Sequence, residues 1–218
     1  MSYPINLDVE GKICVVVGGG RVAHRKVLGL IEAKAKIVLI APVLCDELKA
    51  LIEPQKIIWL EQNYEYGCLP RGVLMIAATN RPSVNRLAAR EAIEKKMPVN
   101  VVDGSSTHGV NFENPATIRR GKFLLTISTG GASPALSKFM RIGLEKIFDE
   151  DFGRRLEVIE SLRATVKEII KDPEVRIEFW RQVMNEKIFS PMGSSEELEA
   201  NIRDALDGYR TQSQDGAD

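Results

Sequence analysis

The run Lys12-Ile13-Cys14-Val15-Val16-Val17, followed at once by Gly18-Gly19-Gly20 and then by Arg21-Val22-Ala23-His24-Arg25-Lys26, constrains this chain more than any other feature. Its first stretch is apolar and rich in β-branched residues without alternation, the pattern of a strand covered on both faces in a parallel sheet. Beyond the glycines, Val22, Ala23, Val27, Leu30, Ile31 and Ala35 recur at helical spacing. Strand, glycine turn and helix in this order match G-x-G-x-x-A, with glycines at 18 and 20 and alanine at 23. Glycines there let a backbone approach a pyrophosphate, whose charge the helix N-terminal amides and dipole stabilise. A tight turn without ligand uses the same residues, so the motif alone leaves both readings open.

The alternation continues through the first half. Strands are expected at 36–40, 57–60, 73–78 and 99–102, with helices at 45–52 and 83–96. Helices between short apolar strands imply right-handed crossovers and an α/β fold with a Rossmann-like, doubly wound parallel sheet over residues 1–113. Such sheets bind ligands at the carboxyl ends of their strands. The cofactor candidates are therefore Gly18, Gly19, Gly20, Arg21 and Val22 after the first strand, Ala41 and Pro42 after the second, Ala78, Thr79 and Asn80 after the fourth, and Asn100 in the fifth. Ala41-Pro42 stands where an acid would bind the ribose of NAD, or an arginine the extra phosphate of NADP. Neither is present, so this rule leaves NAD and NADP open. Asp103 ends the fifth strand; an acid there is often a cap or turn former, but no helix follows it closely, which favours a chemical role.

After Asp103 the period changes. Strands at 116–118 and 122–128 lie close together, then Ser128-Thr129-Gly130-Gly131-Ala132-Ser133-Pro134 forms a turn and helix start, with Ser133 as N-cap and Pro134 at the first helical position. That helix should run to about residue 148, giving a small α+β domain over 114–149. A C-terminal helical domain over 150–218 follows, with one helix on Leu156, Ile159, Leu162, Val166, Ile169 and Ile170, others at 175–188 and 196–209, and a polar tail from 211 expected to fray. The turn residues Ser128, Thr129, Gly130, Gly131 and Ser133 offer amides and hydroxyls to an anion. Arg119, Arg120, Lys122, Lys138 and Arg141 surround them, which suggests a substrate with several carboxylates or phosphates; a plain basic hairpin is the alternative.

Thirty basic and thirty acidic side chains cancel, so no global field draws the chain to nucleic acid or an anionic membrane. Cys14, Cys45 and Cys68 form no CxxC pair and suit a reducing cytoplasm, with Cys14 in the core. The polar, acidic N-terminus does not read as a signal peptide, and no apolar run reaches membrane-spanning length. His24 and His108 lack a second ligand at metal spacing, so no permanent metal site is expected.

VVVGGGRVAHRK, IAATN, NVVD and FENPATIRRGKFLLTISTGGASPALSKFMR, in this order, resemble the siroheme synthase family: precorrin-2 dehydrogenase, with or without sirohydrochlorin ferrochelatase. The likeness is close to about residue 150 and weak beyond it. It implies an NAD-binding Rossmann domain, a small dimerisation domain that intertwines with its twin in a homodimer, and a helical C-terminal region. The implied reaction oxidises precorrin-2 to sirohydrochlorin by hydride transfer to NAD+ with loss of a proton. The tetrapyrrole substrate is a polycarboxylate, which would explain a local basic patch on a neutral chain. The aspartate of NVVD maps onto Asp103, implying a proton acceptor in oxidation and, where present, in insertion of iron or cobalt. Many relatives carry a shorter turn after NVVD, and some have serine at the position of Thr129. A different class, a non-catalytic Rossmann nucleotide sensor, would need only the first 103 residues and no hydroxyl-glycine turn.

Overall fold

The structure is a computed structural model that describes residues 3–102, 112–184 and 194–215, with side chains through 210. Two compact units, Met1–Asn114 and Pro115–Asp218, divide the chain.

In the first unit five parallel strands stand in the order β3-β2-β1-β4-β5. They are β1 (Ile13–Val17), β2 (Lys36–Ile40), β3 (Ile58–Leu60), β4 (Leu74–Ala77) and β5 (Val99–Val101), each within a residue or two of the predicted bounds. The order reverses between β1 and β4, so the crevice at their carboxyl ends is a topological switch point. Helices α1 (Arg21–Glu32) and α2 (Asp46–Ile52) cover one face, where Cys14, Val16, Leu39 and Ile76 meet Ala23, Val27 and Leu48. Helix α3 (Pro82–Glu94) covers the other, setting Ala88, Ala89 and Ala92 against Val15, Val17, Met75 and Val99. Alternate strand residues serve opposite faces, which is why the strands read as unbroken apolar runs. Burial raises the Cys14 thiol to about 11, so it packs as a small apolar side chain.

One crossover has no helix. Between β3 and β4 the chain runs as a loop that packs Tyr64 and Leu69 among the α3-face residues. Its anchor is Glu91 of α3, only 2% exposed. That carboxylate accepts from the Tyr64 hydroxyl, from Gly67 N at 2.9 Å, from Leu69 N at 3.2 Å and from Lys95 Nζ at 2.6 Å. Burial pushes the Glu91 carboxyl upward, but the bonds from Lys95, Tyr64 and Gly67 outweigh it and hold the group below its usual range. A buried carboxylate thus takes the place of a helix.

In the second unit, β6 (Ala116–Arg120) and β7 (Phe123–Ile127) form an antiparallel hairpin, followed by α4 (Pro134–Glu145). Ser133 caps α4 by accepting from Leu136 N at 3.2 Å. The helix stops short of the expected 148, its last turn tightening as Lys146 N and Ile147 N donate to Gly143 O and Leu144 O three residues back, and Phe148 beyond it joins Phe123 and Phe152 with ring centroids 4.7–5.0 Å apart. Then come α5 (Asp151–Ile169), α6 (Pro173–Val183) and α7 (Ser195–Asp215), packed around Leu162, Val166, Phe179, Ile202 and Leu206. Helix α6 ends before the expected 188, where Met184 leaves helical geometry and its N–H returns to Trp180 O. Residues 185–188 lie outside the described residues. The backbone of α7 stays helical to Asp215, past the point where fraying was expected. Arg155, 2% exposed, pairs with Asp149 and Asp151 at 3.2 and 3.3 Å, and Asp151 also accepts from Ser195 N.

Removing one partner of a buried, hydrogen-bonded charge costs about 3 kcal/mol. Glu91→Ala is therefore expected to lose about 3 kcal/mol in urea unfolding, and Glu91→Gln less. Because the folded carboxyl sits below its unfolded value, its contribution is complete at neutral pH and fades as pH falls through the folded value. The Glu91→Ala penalty should accordingly shrink in acid; a penalty independent of pH would contradict this role.

Candidate functional site

A cavity of about 820 Å³ opens at the carboxyl ends of β1, β2 and β4. Its floor is the glycine turn. Gly18 N donates to Ile40 O at 2.9 Å, Ala78 N to Val17 O at 2.7 Å, and Cys45 N to Gly19 O at 2.8 Å, so the turn is tied to the ends of β2 and β4 and to the start of α2. Gly18 has φ +129°, and a Cβ on it would lie 2.4 Å from Ala78 O. A Cβ on Gly19 would lie 2.0 Å from Val43 O. These two glycines are required by the fold. Gly20 is different: its φ is −92° and a Cβ would meet nothing within 4 Å. No neighbour among the described residues calls for glycine there, whereas a ligand lying on the α1 amides would. The sixth motif position, Ala23, is fully buried where α1 packs on the sheet.

The start of α1 breaks the local rules for a helix N-terminus. Gly20 provides no side-chain cap, the first turn holds no acid, and Arg21, Arg25 and Lys26 put cations at the positive end of the dipole. Helix α3 repeats the pattern, with Arg81 at the N-cap, Pro82 after it and no acid. Helix α2, which borders the same cavity through its cap Cys45, instead begins with Asp46 and Glu47. Two uncapped, acid-free helix starts with arginines suit an anionic ligand, and the open cradle at Gly20 fits a dinucleotide pyrophosphate.

Among the predicted cofactor residues, Gly18, Gly19, Gly20, Arg21, Val22, Ala41, Pro42, Ala78, Thr79 and Asn80 all line the cavity. Asn100 does not: it is buried in β5, and its Nδ2 donates to Phe112 O at 2.8 Å, pinning the returning chain. Asp103 and His108 lie outside the described residues; Val102, immediately before Asp103, lines the cavity.

Three contributors were missed from sequence. Asn85, fully buried in α3, accepts from Thr79 N at 3.0 Å and from its hydroxyl at 2.7 Å, and donates to Thr79 O at 3.1 Å. It fixes the turn after β4; a lone amide among the small residues of α3 was the available signal. Asn63 and Glu65, from the helix-free crossover, also line the cavity. Nothing local marked them, since their position depends on the Glu91 anchor.

In the second unit the hydroxyl-glycine turn is well ordered by its own groups. Ser128 Oγ accepts from Gly130 N at 3.1 Å, and Thr129 Oγ1 accepts from Ser133 N at 3.1 Å and lies 3.3 Å from Ser137 Oγ. Gly130 and Gly131 have φ of +60° and +82°, which explains both glycines. The hydroxyls thus build the turn. Of the basic residues around it, Arg141 pairs with Glu145, Lys122 with Glu160 and Arg120 with Glu150; Arg119 is half-buried on β6 and Lys138 is exposed. Among the described residues no three of His, Cys, Asp and Glu stand together as metal ligands, and no helix is long and apolar enough to cross a membrane.

Residues 5–116 match a family model described as "Putative NAD(P)-binding". The chain is 33% identical over 213 residues to the siroheme synthase of Ruthia magnifica subsp. Calyptogena magnifica, an alignment covering 95% of this chain and 44% of that protein. It is 36% identical over 182 residues to the siroheme synthase of Thioalkalivibrio sulfidiphilus, covering 84% of this chain and 37% of that protein. The chain thus spans less than half the length of these curated relatives. Among solved structures, its fold is similar to that of SirC, a precorrin-2 dehydrogenase, with a TM-score of 0.71 and 24% identity over 93% of this chain and 99% of the other.

The glycines of the turn should separate by function. Gly19→Ala should cost about 2 kcal/mol through overpacking, whereas Gly20→Ala should change unfolding by less than about 0.5 kcal/mol. Equal losses in chemical denaturation would mean that Gly20, too, serves only the fold.

Proposed function

This chain belongs to the NAD(P)-binding family whose model spans residues 5–116, and from that premise we propose that it is an NAD-dependent precorrin-2 dehydrogenase of siroheme biosynthesis. One observation carries the reading: an acid-free, uncapped helix start kept open by Gly20 at the switch point of a parallel sheet, in a chain whose similarity to siroheme synthases continues through the second unit. A nucleotide sensor has no use for that second half.

NAD+ supplies the hydride acceptor when bound. The amides at the start of α1 and Arg21 hold its pyrophosphate, and the small side chain of Ala78 leaves room for the ribose that follows. Asp103, next in the chain after the cavity-lining Val102, takes up the proton that the substrate releases. Precorrin-2 loses a hydride and a proton, so each turnover yields sirohydrochlorin, NADH and H+. The carboxylates of the tetrapyrrole are held at the Ser128–Ser133 turn, chiefly by the cations Arg119, Lys138 and Arg141 beside it. The enzyme works in the cytoplasm, where Cys14, Cys45 and Cys68 stay as free thiols.

The active form is a homodimer built on residues 114–149. Support comes from α4, which exposes Leu136, Phe139, Met140 and Ile142, with Phe139 75% exposed. An apolar stripe of this size on a helix is usually covered by a partner.

The direct experiment incubates the protein with precorrin-2 and NAD+ and follows NADH absorbance together with the sirohydrochlorin spectrum; no turnover would contradict the reading. A second tube with sirohydrochlorin and Fe2+ or Co2+ reports metal insertion separately. Asp103→Asn should lower the rate by about 100-fold or more while NAD+ affinity stays near wild type, and an unchanged rate would remove Asp103 from the chemistry. Phe139→Glu should convert a dimer to a monomer in sedimentation velocity with its circular dichroism preserved. A wild-type chain that sediments as a monomer would refute the dimer.

A further inference from the structure

The cavity ends in a carboxylate that the second-strand rule would not find. Strand β2 is followed by Ala41-Pro42, which offer the adenosine ribose neither an acid nor a base. Strand β3 pairs directly with β2, Ile40 opposite Leu60. Ala41 N donates to Leu60 O at 3.2 Å, and Trp59 Nε1 donates to Ala41 O at 2.9 Å. The loop leaving Leu60 therefore departs beside the tip of β2, and through Asn63, Tyr64 and Glu65 it lines the same cavity. Among the described residues that line it, Glu65 is the sole acid.

Its backbone is anchored on both sides. The neighbouring Tyr64 is buried with its hydroxyl on Glu91, and the backbone of Glu65 is closed into a turn by Cys68 N donating to its carbonyl at 3.1 Å. The side chain is exposed and has no hydrogen-bond or ion-pair partner among the described residues. The two cavity arginines stand elsewhere: Arg21 opens α1, and Arg81 follows β4, which β1 separates from β2. An unpaired carboxylate held beside the second strand has the chemistry that a Rossmann site uses to accept from a ribose 2′-hydroxyl and to repel a 2′-phosphate.

We propose that Glu65 replaces the missing acid of the second strand and selects NAD over NADP. This assignment rests on the dinucleotide reading above and deepens it. A 2′-phosphate placed within a few ångströms of this carboxylate would be disfavoured by about tenfold or more.

Calorimetric titration of the wild-type chain and of Glu65→Gln with NAD+ and with NADP+ tests it. The wild type should bind NAD+ at least about tenfold more tightly than NADP+. Glu65→Gln should bring NADP+ to within about threefold of NAD+, chiefly by tightening NADP+, with a thermal melt like the wild type. A ratio unchanged by Glu65→Gln, or a wild type that prefers NADP+, would overturn the assignment while leaving a dinucleotide site intact. Binding of neither dinucleotide to the folded wild type would overturn the cofactor reading and this assignment together.

Discussion

The N-terminal unit depends on one close approach of backbone to backbone. Gly18 sits against the carbonyl of Ala78 and Gly19 against that of Val43, distances that no side chain permits. The approach draws the ends of β1, β2 and β4 together, and the bonds from Gly18 N to Ile40 O and from Cys45 N to Gly19 O extend it to the start of α2. The cavity is the space that remains above this contact. Its composition follows: small residues at the floor, two bare helix starts at the wall, and an acid carried in by the crossover loop.

Stability and function are divided among neighbouring residues here. Gly18, Gly19 and Ala23 serve packing, Asn85 fixes the turn after β4, and Glu91 holds the helix-free crossover. By contrast, the start of α1 forgoes a capping side chain and an acidic first turn, and so gives up stability that other helices of this chain secure. Asp172 caps α6 through Glu174 N at 2.8 Å, and Asp46 and Glu47 open α2. At the start of α1 the local rules are broken where an anion is to be received.

The strands and helices of the first unit were legible in the sequence because buried parallel strands leave unbroken apolar runs and their helices leave clean periodicity. The glycine turn was legible for a different reason, since its spacing encodes backbone geometry. What could not be read was set by contacts distant in sequence. Glu91 looks like any surface glutamate of an amphipathic helix until Tyr64, Gly67 and Leu69 are brought to it, and Glu65 has no role until that loop is placed. Asn100, expected at the ligand, is not among the described residues that line the cavity and gives its Nδ2 to Phe112 O. The hydroxyl oxygens of the second glycine turn, which looked free for an anion, accept from the amides of Gly130, Ser133 and Leu136, leaving the nearby cations as the main groups for a substrate carboxylate. The end of α4 likewise lies beside a tertiary contact, the ring cluster of Phe148 with Phe123 and Phe152.

The central claim is that the first glycine turn holds a dinucleotide by its pyrophosphate. A crystal structure of the chain grown with NAD+ tests it most directly. Pyrophosphate oxygens should lie at hydrogen-bond distance, about 2.7–3.2 Å, from backbone amides at Gly20, Arg21 or Val22, with the adenosine end towards Glu65. A dinucleotide bound elsewhere on the chain, or one whose phosphates avoid the start of α1, would contradict it.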